Sequence, residues 1–367
     1  MKKEEDRNIN TSTHQHTGTS REQIIETFDP NAAGTQGALF GLPFTPENAE
    51  LVIVPVPWEV TVSYHSGTAR GPQAVVDASA QIDLSVKDIP DAWKLGISIL
   101  PFPHTLYEES VKLREWASQH IDSSSEKKQS GDPALKKINE ACENLNIYIK
   151  STTQKLLKEG KMVALLGGDH STPLGFLRTL SEKYDHFGIL QLDAHADLRK
   201  AYQGFAYSHA SIMYNALKLP GVSRLVQVGI RDFCDEELEV MKRAMGRVIT
   251  YYDEDIKAQM FEGKSWSHVC EQIVKDLPEH VYISFDIDGL NPKLCPNTGT
   301  PVPGGLEYEQ AIYLLKKLVT SGKKIIGFDL NEVSPGSDDW DANVGARLLY
   351  QLCNWMAVSQ GRLGIRH

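Results

Sequence analysis

Four short apolar runs in this chain each end abruptly in acidic side chains, two of them with histidine as well, and this pattern narrows the fold more than any other feature. Val163 to Ser171 reads Val-Ala-Leu-Leu-Gly-Gly-Asp-His-Ser, and Phe187 to Asp197 reads Phe-Gly-Ile-Leu-Gln-Leu-Asp-Ala-His-Ala-Asp. His280 to Gly289 reads His-Val-Tyr-Ile-Ser-Phe-Asp-Ile-Asp-Gly, and Lys324 to Glu332 reads Lys-Ile-Ile-Gly-Phe-Asp-Leu-Asn-Glu. Apolar runs of this length suit strands buried on both faces, as in a parallel sheet. The polar residues then fall at the carboxyl ends of the strands, where open α/β sheets place their sites. Asp193, His195 and Asp197 alternate, so an extended backbone would point all three to one face. With His170 on a neighbouring strand end, that face offers hard and borderline ligands to a metal ion. A lone Asp-x-His is ordinarily a hydrogen-bonded strand end. The same acidic ending on several runs is what points to a metal cage.

The chain has 367 residues, enough for one large α/β domain or two modest ones, and is 41% apolar and 23% charged. That composition suits a globular protein able to bury a core. The net charge is −10 and no block of Lys and Arg stands out. These features argue against nucleic acid or an anionic membrane as partner and favour a small cationic molecule. Five scattered cysteines (Cys142, Cys234, Cys270, Cys295 and Cys353) include no CxxC pair. This is a reducing-compartment pattern, not a disulfide framework or a thiolate zinc site. No apolar run approaches the roughly 20 residues of a transmembrane helix, and no signal-peptide core is seen near the start. The expected location is the cytoplasm.

Residues 1–35 are polar and are expected to be a flexible tail or an arm docked on a neighbouring subunit; 36–367 then form a single domain. Within the first segment, His14 and His16 read as solvated. Residues 51–58 are the first buried strand, with prolines at its exit. Gly67-Thr68-Ala69-Arg70-Gly71-Pro72 leads into a helix with Pro72 in its first turn, and its glycines are read as structural rather than as an anion cradle. Leu95 to Leu100 is a second strand, and 122–133 is a surface insertion by composition. Ile138, Cys142, Leu145, Ile149 and Leu156 recur at helical spacing, with Gly160 as the stop. Further strands are expected at 224–230, 247–252, 280–289 and 324–331, with a helix at 307–321. Asp341 is expected to cap a closing helix that buries Val344, Leu348, Leu352 and Trp355. Strand–helix alternation without a dividing linker predicts a doubly wound α/β domain.

The candidate ligands are His170, Asp193, His195, Asp197, Asp286 and Asp288. Four carboxylates and two imidazoles are too many for one zinc ion, which takes about four ligands. They suit two divalent ions with some carboxylates shared. Mixed oxygen and imidazole ligation is compatible with Mn²⁺, Ni²⁺ or Co²⁺.

These residues also carry a family resemblance. Gly-Gly-Asp-His-Ser (167–171), Asp-Ala-His-Ala-Asp (193–197), Ser-Phe-Asp-Ile-Asp-Gly-Leu-Asn-Pro (284–292), Gly-Thr-Pro-Val-Pro-Gly-Gly-Leu (299–306) and Glu-Val-Ser-Pro (332–335) resemble the signatures of the ureohydrolases. That family includes arginases, agmatinases, guanidinobutyrases, formiminoglutamases and guanidine hydrolases. The resemblance spans roughly residues 40–360. It implies a three-layer αβα arginase-like fold around a mostly parallel eight-stranded sheet, assembled as a trimer or hexamer. It also implies a hydrolase that releases urea from a small cationic guanidino substrate with two divalent ions per chain, Ni²⁺ or Mn²⁺. His170, Asp193, Asp197 and Asp286 would hold one ion. Asp193, His195, Asp286 and Asp288 would hold the other, so Asp193 and Asp286 bridge. By the same resemblance a hydroxide shared by the ions attacks the guanidinium carbon, and the tetrahedral intermediate collapses to urea and an amine or ammonia. Asp197 would orient the hydroxide and pass on its proton, His209 would shuttle a proton to the leaving nitrogen, and Glu332 would pair with the guanidinium.

One departure bears on the substrate. Arginases carry an Asn two residues after the last Asp of the Asp-Ala-His-Ala-Asp motif, where it helps hold the amino acid's carboxylate; here that place is Arg199. Pro-Val-Pro-Trp-Glu-Val-Thr-Val-Ser-Tyr (55–64) and Asp-Ala-Trp-Lys-Leu-Gly-Ile (91–97) are most similar to the agmatinase-like branch that includes nickel-dependent guanidine hydrolases. Guanidine or another short guanidino compound is therefore the favoured substrate. Agmatine is second, its amine meeting Asp338 or Asp339; guanidinobutyrate and arginine come after. Trp340 and Tyr207 are candidate pocket walls, although packing explains either. Two other classes fit less well. A silent subunit would lack ligands, and a mononuclear zinc deacylase would need fewer acids and a histidine pair beside its metal.

Overall fold

The structure is a computed structural model and describes residues 19–124 and 133–366. Its strands are β1 (Leu51–Val56), β2 (Ile97–Ile99), β3 (Met162–Gly167), β4 (Phe187–Leu192), β5 (Val222–Ile230), β6 (Val248–Tyr252), β7 (His280–Asp286) and β8 (Lys324–Asn331). They form one eight-stranded sheet in the order β2-β1-β3-β8-β7-β4-β5-β6. Every neighbouring pair is parallel. Parallel strands must be joined by crossovers, so helices cover both faces and the interior strands lose contact with water on both sides. β1, β3 and β4 are accordingly buried at every position. The result is the three-layer αβα arrangement that the resemblance implies, built on the parallel sheet expected from the apolar runs.

Strand order explains why the four acidic run ends meet. β3, β8, β7 and β4 are consecutive in the middle of the sheet. β8, the last strand in the chain, is inserted between β3 and β7. Because all four point the same way, their carboxyl ends open onto one edge, and the residues that follow them converge there.

The helices mostly follow the expected periodicity. Pro133–Lys158 buries Ile138, Cys142, Leu145, Ile149 and Leu156, and Gly160 beyond its end has φ +78°, the left-handed stop that favours glycine. The closing helix Trp340–Ser359 buries Val344, Leu348, Leu352 and Trp355. Asp341 does not cap it. That carboxylate lies inside the first turn and accepts the backbone N–H and side-chain amide of Asn297 at 2.9 Å each, pinning the loop after β7 to the helix.

Of the segment expected at 1–35, residues 1–18 lie outside the described residues. Arg21–Thr27 is a helix opened by a capping box between Ser20 and Gln23. It packs on its own chain, with Ile24 buried and Arg21 Nη2 donating to the Lys94 carbonyl at 2.8 Å. Of the expected insertion at 122–133, Ser124 ends one helix and Pro133 opens the next, while 125–132 lie outside the described residues. Among the described residues no helix is long and apolar enough to cross a membrane, and the five cysteines are free.

Candidate metal centre

β3 ends at Gly167, and the turn beyond it packs backbone to backbone against Trp58. A Cβ on Gly168 would lie 2.0 Å from the Trp58 carbonyl oxygen, so only glycine allows this approach. The turn delivers His170, which is 1% exposed. Its Nε2 lies 2.8 Å from Ser284 Oγ, and the Ser284 hydroxyl donates to Asp329 Oδ1 at 3.0 Å. With the hydroxyl proton committed to Asp329, Ser284 accepts from Nε2–H, and the Nδ1 of His170 keeps its lone pair. That lone pair faces Asp193 Oδ2 and Asp197 Oδ2 at 3.0 Å each and Asp286 Oδ2 at 3.4 Å. His170 Nδ1 has no hydrogen-bond partner.

A second cluster adjoins the first. His195 Nδ1 lies 3.0 Å from Asp288 Oδ2 and 3.6 Å from Asp193 Oδ1. Potential ligand atoms therefore gather in two groups, His170–Asp193–Asp197 and Asp193–His195–Asp288, with Asp193 common to both. Its two oxygens face the two histidines separately. Asp286 sits at the margin of the first group. Three carboxylates are each held by one oxygen on a backbone N–H: Asp193 by His195 (2.7 Å), Asp286 by Asp288 (2.9 Å) and Asp288 by Ala194 (3.0 Å). In each the other oxygen is turned toward an imidazole. Arg231 braces the same loop, its Nη2 donating to the Asp288 carbonyl at 2.7 Å and to Val302 at 3.0 Å.

The expected route to this convergence differs from the observed one. Extended alternation was expected to carry Asp193, His195 and Asp197 to one face, but β4 stops at Leu192 and Asp197 has φ +56°. The segment curls, which lets Asp197 join His170 while His195 turns to Asp288. Glu332 is also in the left-handed region, at φ +63°. Such backbone costs about 1–3 kcal/mol for a non-glycine residue and clusters at functional sites.

The electrostatics of the two clusters favour a cation. Burial opposes charge on Asp193, but His170 and then His195 hold it well below the usual carboxylate range. Burial, then the charge of Asp193, pushes Asp197 up to about 7. Burial followed by Asp288 and Asp193 raises Asp286 well above its usual value. His170 and His195, which burial alone would lower, are raised well above theirs by these carboxylates. Without another cation, the imidazoles take up protons to balance the acids. A divalent ion performs the same neutralisation, and the unpartnered Nδ1 with its ring of oxygens is a donor set of the right chemistry. The residues fit two such ions.

Beside the clusters is a cavity of about 140 Å³, walled by Ser63, His195, Asp197, Arg199, Tyr202, His209, Asp232, Phe233, Glu237 and Thr300, among others. His209 is one of these walls, and burial followed by the neighbouring His195 pushes its imidazole down to about 3. Arg199 also lines the cavity, 4.8 Å over the Tyr202 ring and 3.9 Å from Glu237 Oε2. Glu332 is not among these walls. It is buried beside the clusters, accepts the His170 N–H through Oε1 at 2.9 Å, and turns Oε2 toward Gly299. Burial and the charge of Asp169 raise its carboxyl well above the usual range.

Tyr207 and Trp340 are packing residues: Tyr207 lies under Arg178, and the Trp340 indole donates to the Lys293 carbonyl. Asp338 accepts the Trp340 N–H, and neither it nor Asp339 lines the cavity; the exposed wall carboxylate is Asp232. That residue was missed by sequence reasoning although a signal existed. It ends the β5 run Val-Gly-Ile-Arg-Asp as the other site residues end theirs. Ser284 carried no such signal, because a serine inside a strand has no characteristic spacing.

The arginase family profile matches residues 49–354. The chain is 31% identical over 334 residues to N(1)-aminopropylagmatine ureohydrolase of Thermus thermophilus, covering 89% of this chain and 97% of that protein. It is 29% identical to an agmatinase of Enterobacter sp., covering 86% and 90%. In three dimensions it is similar to the agmatine ureohydrolase of Thermoplasma volcanium, with a TM-score of 0.65 at 24% identity over 93% of this chain and 99% of that one.

Asp193 faces both histidines, so losing its carboxylate should unbalance both clusters. Asp193→Ala is expected to lower bound divalent metal from two ions per chain to fewer than one, by plasma emission spectrometry after loading and desalting. Two retained ions would refute the shared role.

Proposed function

The chain belongs to the arginase family of ureohydrolases, hydrolases of amidino C–N bonds, and from that premise we propose that it releases urea from guanidine or another small guanidino compound with the help of two divalent ions, Ni²⁺ or Mn²⁺. The observation that carries this reading is the pair of ligand clusters joined at Asp193 and set beside a cavity of only about 140 Å³. His170, Asp197 and Asp286 would serve one ion with Asp193; His195 and Asp288 would serve the other with Asp193 and, by its place in the motif, Asp286. When bound, such ions supply Lewis acidity and a water whose pKa is brought toward neutrality.

The chain's own residues account for substrate handling and proton movement. Glu332 keeps one oxygen on the His170 backbone, and its Oε2 has no hydrogen-bond partner among the described residues. A guanidinium brought against it would lower its raised pKa and form a charge-assisted hydrogen bond. Asp197, whose carboxyl burial and Asp193 push up to about 7, would take a proton from the attacking water. His209, neutral at pH 7, shares the cavity with Asp197 and passes a proton on to the leaving nitrogen. Geometry of this kind suits general acid–base transfer, in which both groups touch the same small substrate.

Substrate size follows from the wall. Arg199 is held over Tyr202 on that wall, with Glu237 Oε2 3.9 Å from its Nε. A short site rejects long tails sterically. Agmatine or an aminopropyl derivative is the second reading. It rests on the names of the relatives and on Asp232, whose side chain is 66% exposed and could receive a terminal amine.

Glu332→Gln should retain metal and fold but lose at least about tenfold in kcat/KM, because a neutral amide replaces a charge-assisted pair; an unchanged value would reject the role. The substrate order is checked by kcat/KM for guanidine, agmatine, guanidinobutyrate and arginine on nickel- and manganese-loaded protein. Guanidine is expected to lead. If arginine led with both metals, the substrate reading would be wrong.

A further inference from the structure

Two positions before Asp193, the interior of the sheet stops being apolar. Gln191 of β4, Gln227 of β5 and Thr250 of β6 stand side by side in register, and equal register in a parallel sheet puts the three side chains on one face. Both glutamines are completely buried. A buried amide is tolerated only when its donors and acceptor are paired, and here every one is. On the edge strand, Thr250 Oγ1 donates to Gln227 Oε1 at 2.9 Å. Gln227 Nε2 donates to Gln191 Oε1 at 2.7 Å and to the Ala196 carbonyl at 2.8 Å. Gln191 Nε2 donates to Asp193 Oδ2 at 2.8 Å and to the His195 carbonyl at 3.2 Å.

The chain has one direction. Each amide nitrogen lies between two acceptors and each amide oxygen receives a donor, so neither amide can flip without losing bonds. Its output has two parts. One N–H of Gln191 sets the rotation of the Asp193 carboxylate, which keeps Oδ2 toward His170 and Oδ1 toward His195. The remaining N–H groups hold the carbonyls of His195 and Ala196, and so hold the curled segment that ends at the left-handed Asp197. A donor fixed in this way supports a ligand as outer residues support metal sites generally.

We infer that Gln227, which touches none of the candidate ligands' side chains, is a positioning residue for the metal centre: acting through Gln191, it fixes the carboxylate shared by the two ions and the loop that carries Asp197. This inference rests on Asp193 being a metal ligand.

The test measures Mn²⁺ affinity by chelator competition, together with the melting temperature of metal-free protein. Gln227→Met keeps the side-chain length but removes the donor to Gln191, and Leu225→Ala, on the same strand and face, is the control for simple loss of stability. Gln227→Met is expected to weaken Mn²⁺ binding by about 10–100-fold, the range seen when outer residues of metal sites are removed. Leu225→Ala should lower the melting temperature and leave Mn²⁺ affinity unchanged. Wild-type affinity in Gln227→Met, or an equal loss in Leu225→Ala, would overturn the inference. If Gln227→Met does not fold, Thr250→Val decides instead, since it removes only the terminal donor and keeps its shape; unchanged Mn²⁺ affinity there overturns it too. Failure of the wild-type protein to bind Mn²⁺ or Ni²⁺ at all would instead sink the metal reading beneath it.

Discussion

The structure depends on one arrangement: a histidine lone pair buried among three carboxylate oxygens. His170 Nδ1 meets Asp193, Asp197 and Asp286 within 3.4 Å, with almost no access to water. Like charges in that setting repel strongly, and burying even one unpaired carboxylate is costly. The fold offsets part of this with backbone N–H donors. Each of Asp193, Asp286 and Asp288 has one oxygen pinned in this way and the other left toward the centre. What remains is a demand for positive charge. Two divalent ions sharing Asp193, as proposed, would meet it.

The rest of the molecule can be understood as what holds this cluster together. β8 enters between β3 and β7, so the centre is complete only after the last strand has joined the sheet. It brings Glu332 against the His170 N–H and Asp329 against Ser284, which in turn sets the His170 tautomer. Two candidate site residues, Asp197 and Glu332, have left-handed backbone without being glycine. Strain of about 1–3 kcal/mol at each is tolerated because packed strands on either side over-determine the geometry. Arg231 ties the Asp288 loop to the segment at Val302.

Much of the fold, and the gathering of acids and histidines at one edge of the sheet, was legible in the sequence, for a physical reason. Strands buried on both faces must be apolar throughout, so a sudden carboxylate at such a strand's end is conspicuous. That made Asp193, Asp286 and Asp288 readable, along with the parallel sheet that presents them. The curl after Leu192 was not readable, because Asp197 has no glycine or proline to advertise a left-handed turn. Neither was the helix Arg21–Thr27, whose single buried residue, Ile24, leaves it polar in composition. Trp340 and Asp338 drew attention as an aromatic and an acid near a site motif, yet each is satisfied by local hydrogen bonds. The actual wall, including Ser63, Tyr202, Asp232 and Thr300, comes from four separate segments. Residue type alone cannot say which loops will fold over the same few ångströms.

The central claim is that this cluster is a two-ion site and not a proton-balanced network of acids and histidines. The most direct measurement is anomalous X-ray scattering from crystals of protein loaded with Mn²⁺ or Ni²⁺. The account predicts two metal peaks per chain, one between His170 and Asp193 and the other between Asp193 and His195. One peak only, or none at saturating metal, would contradict it.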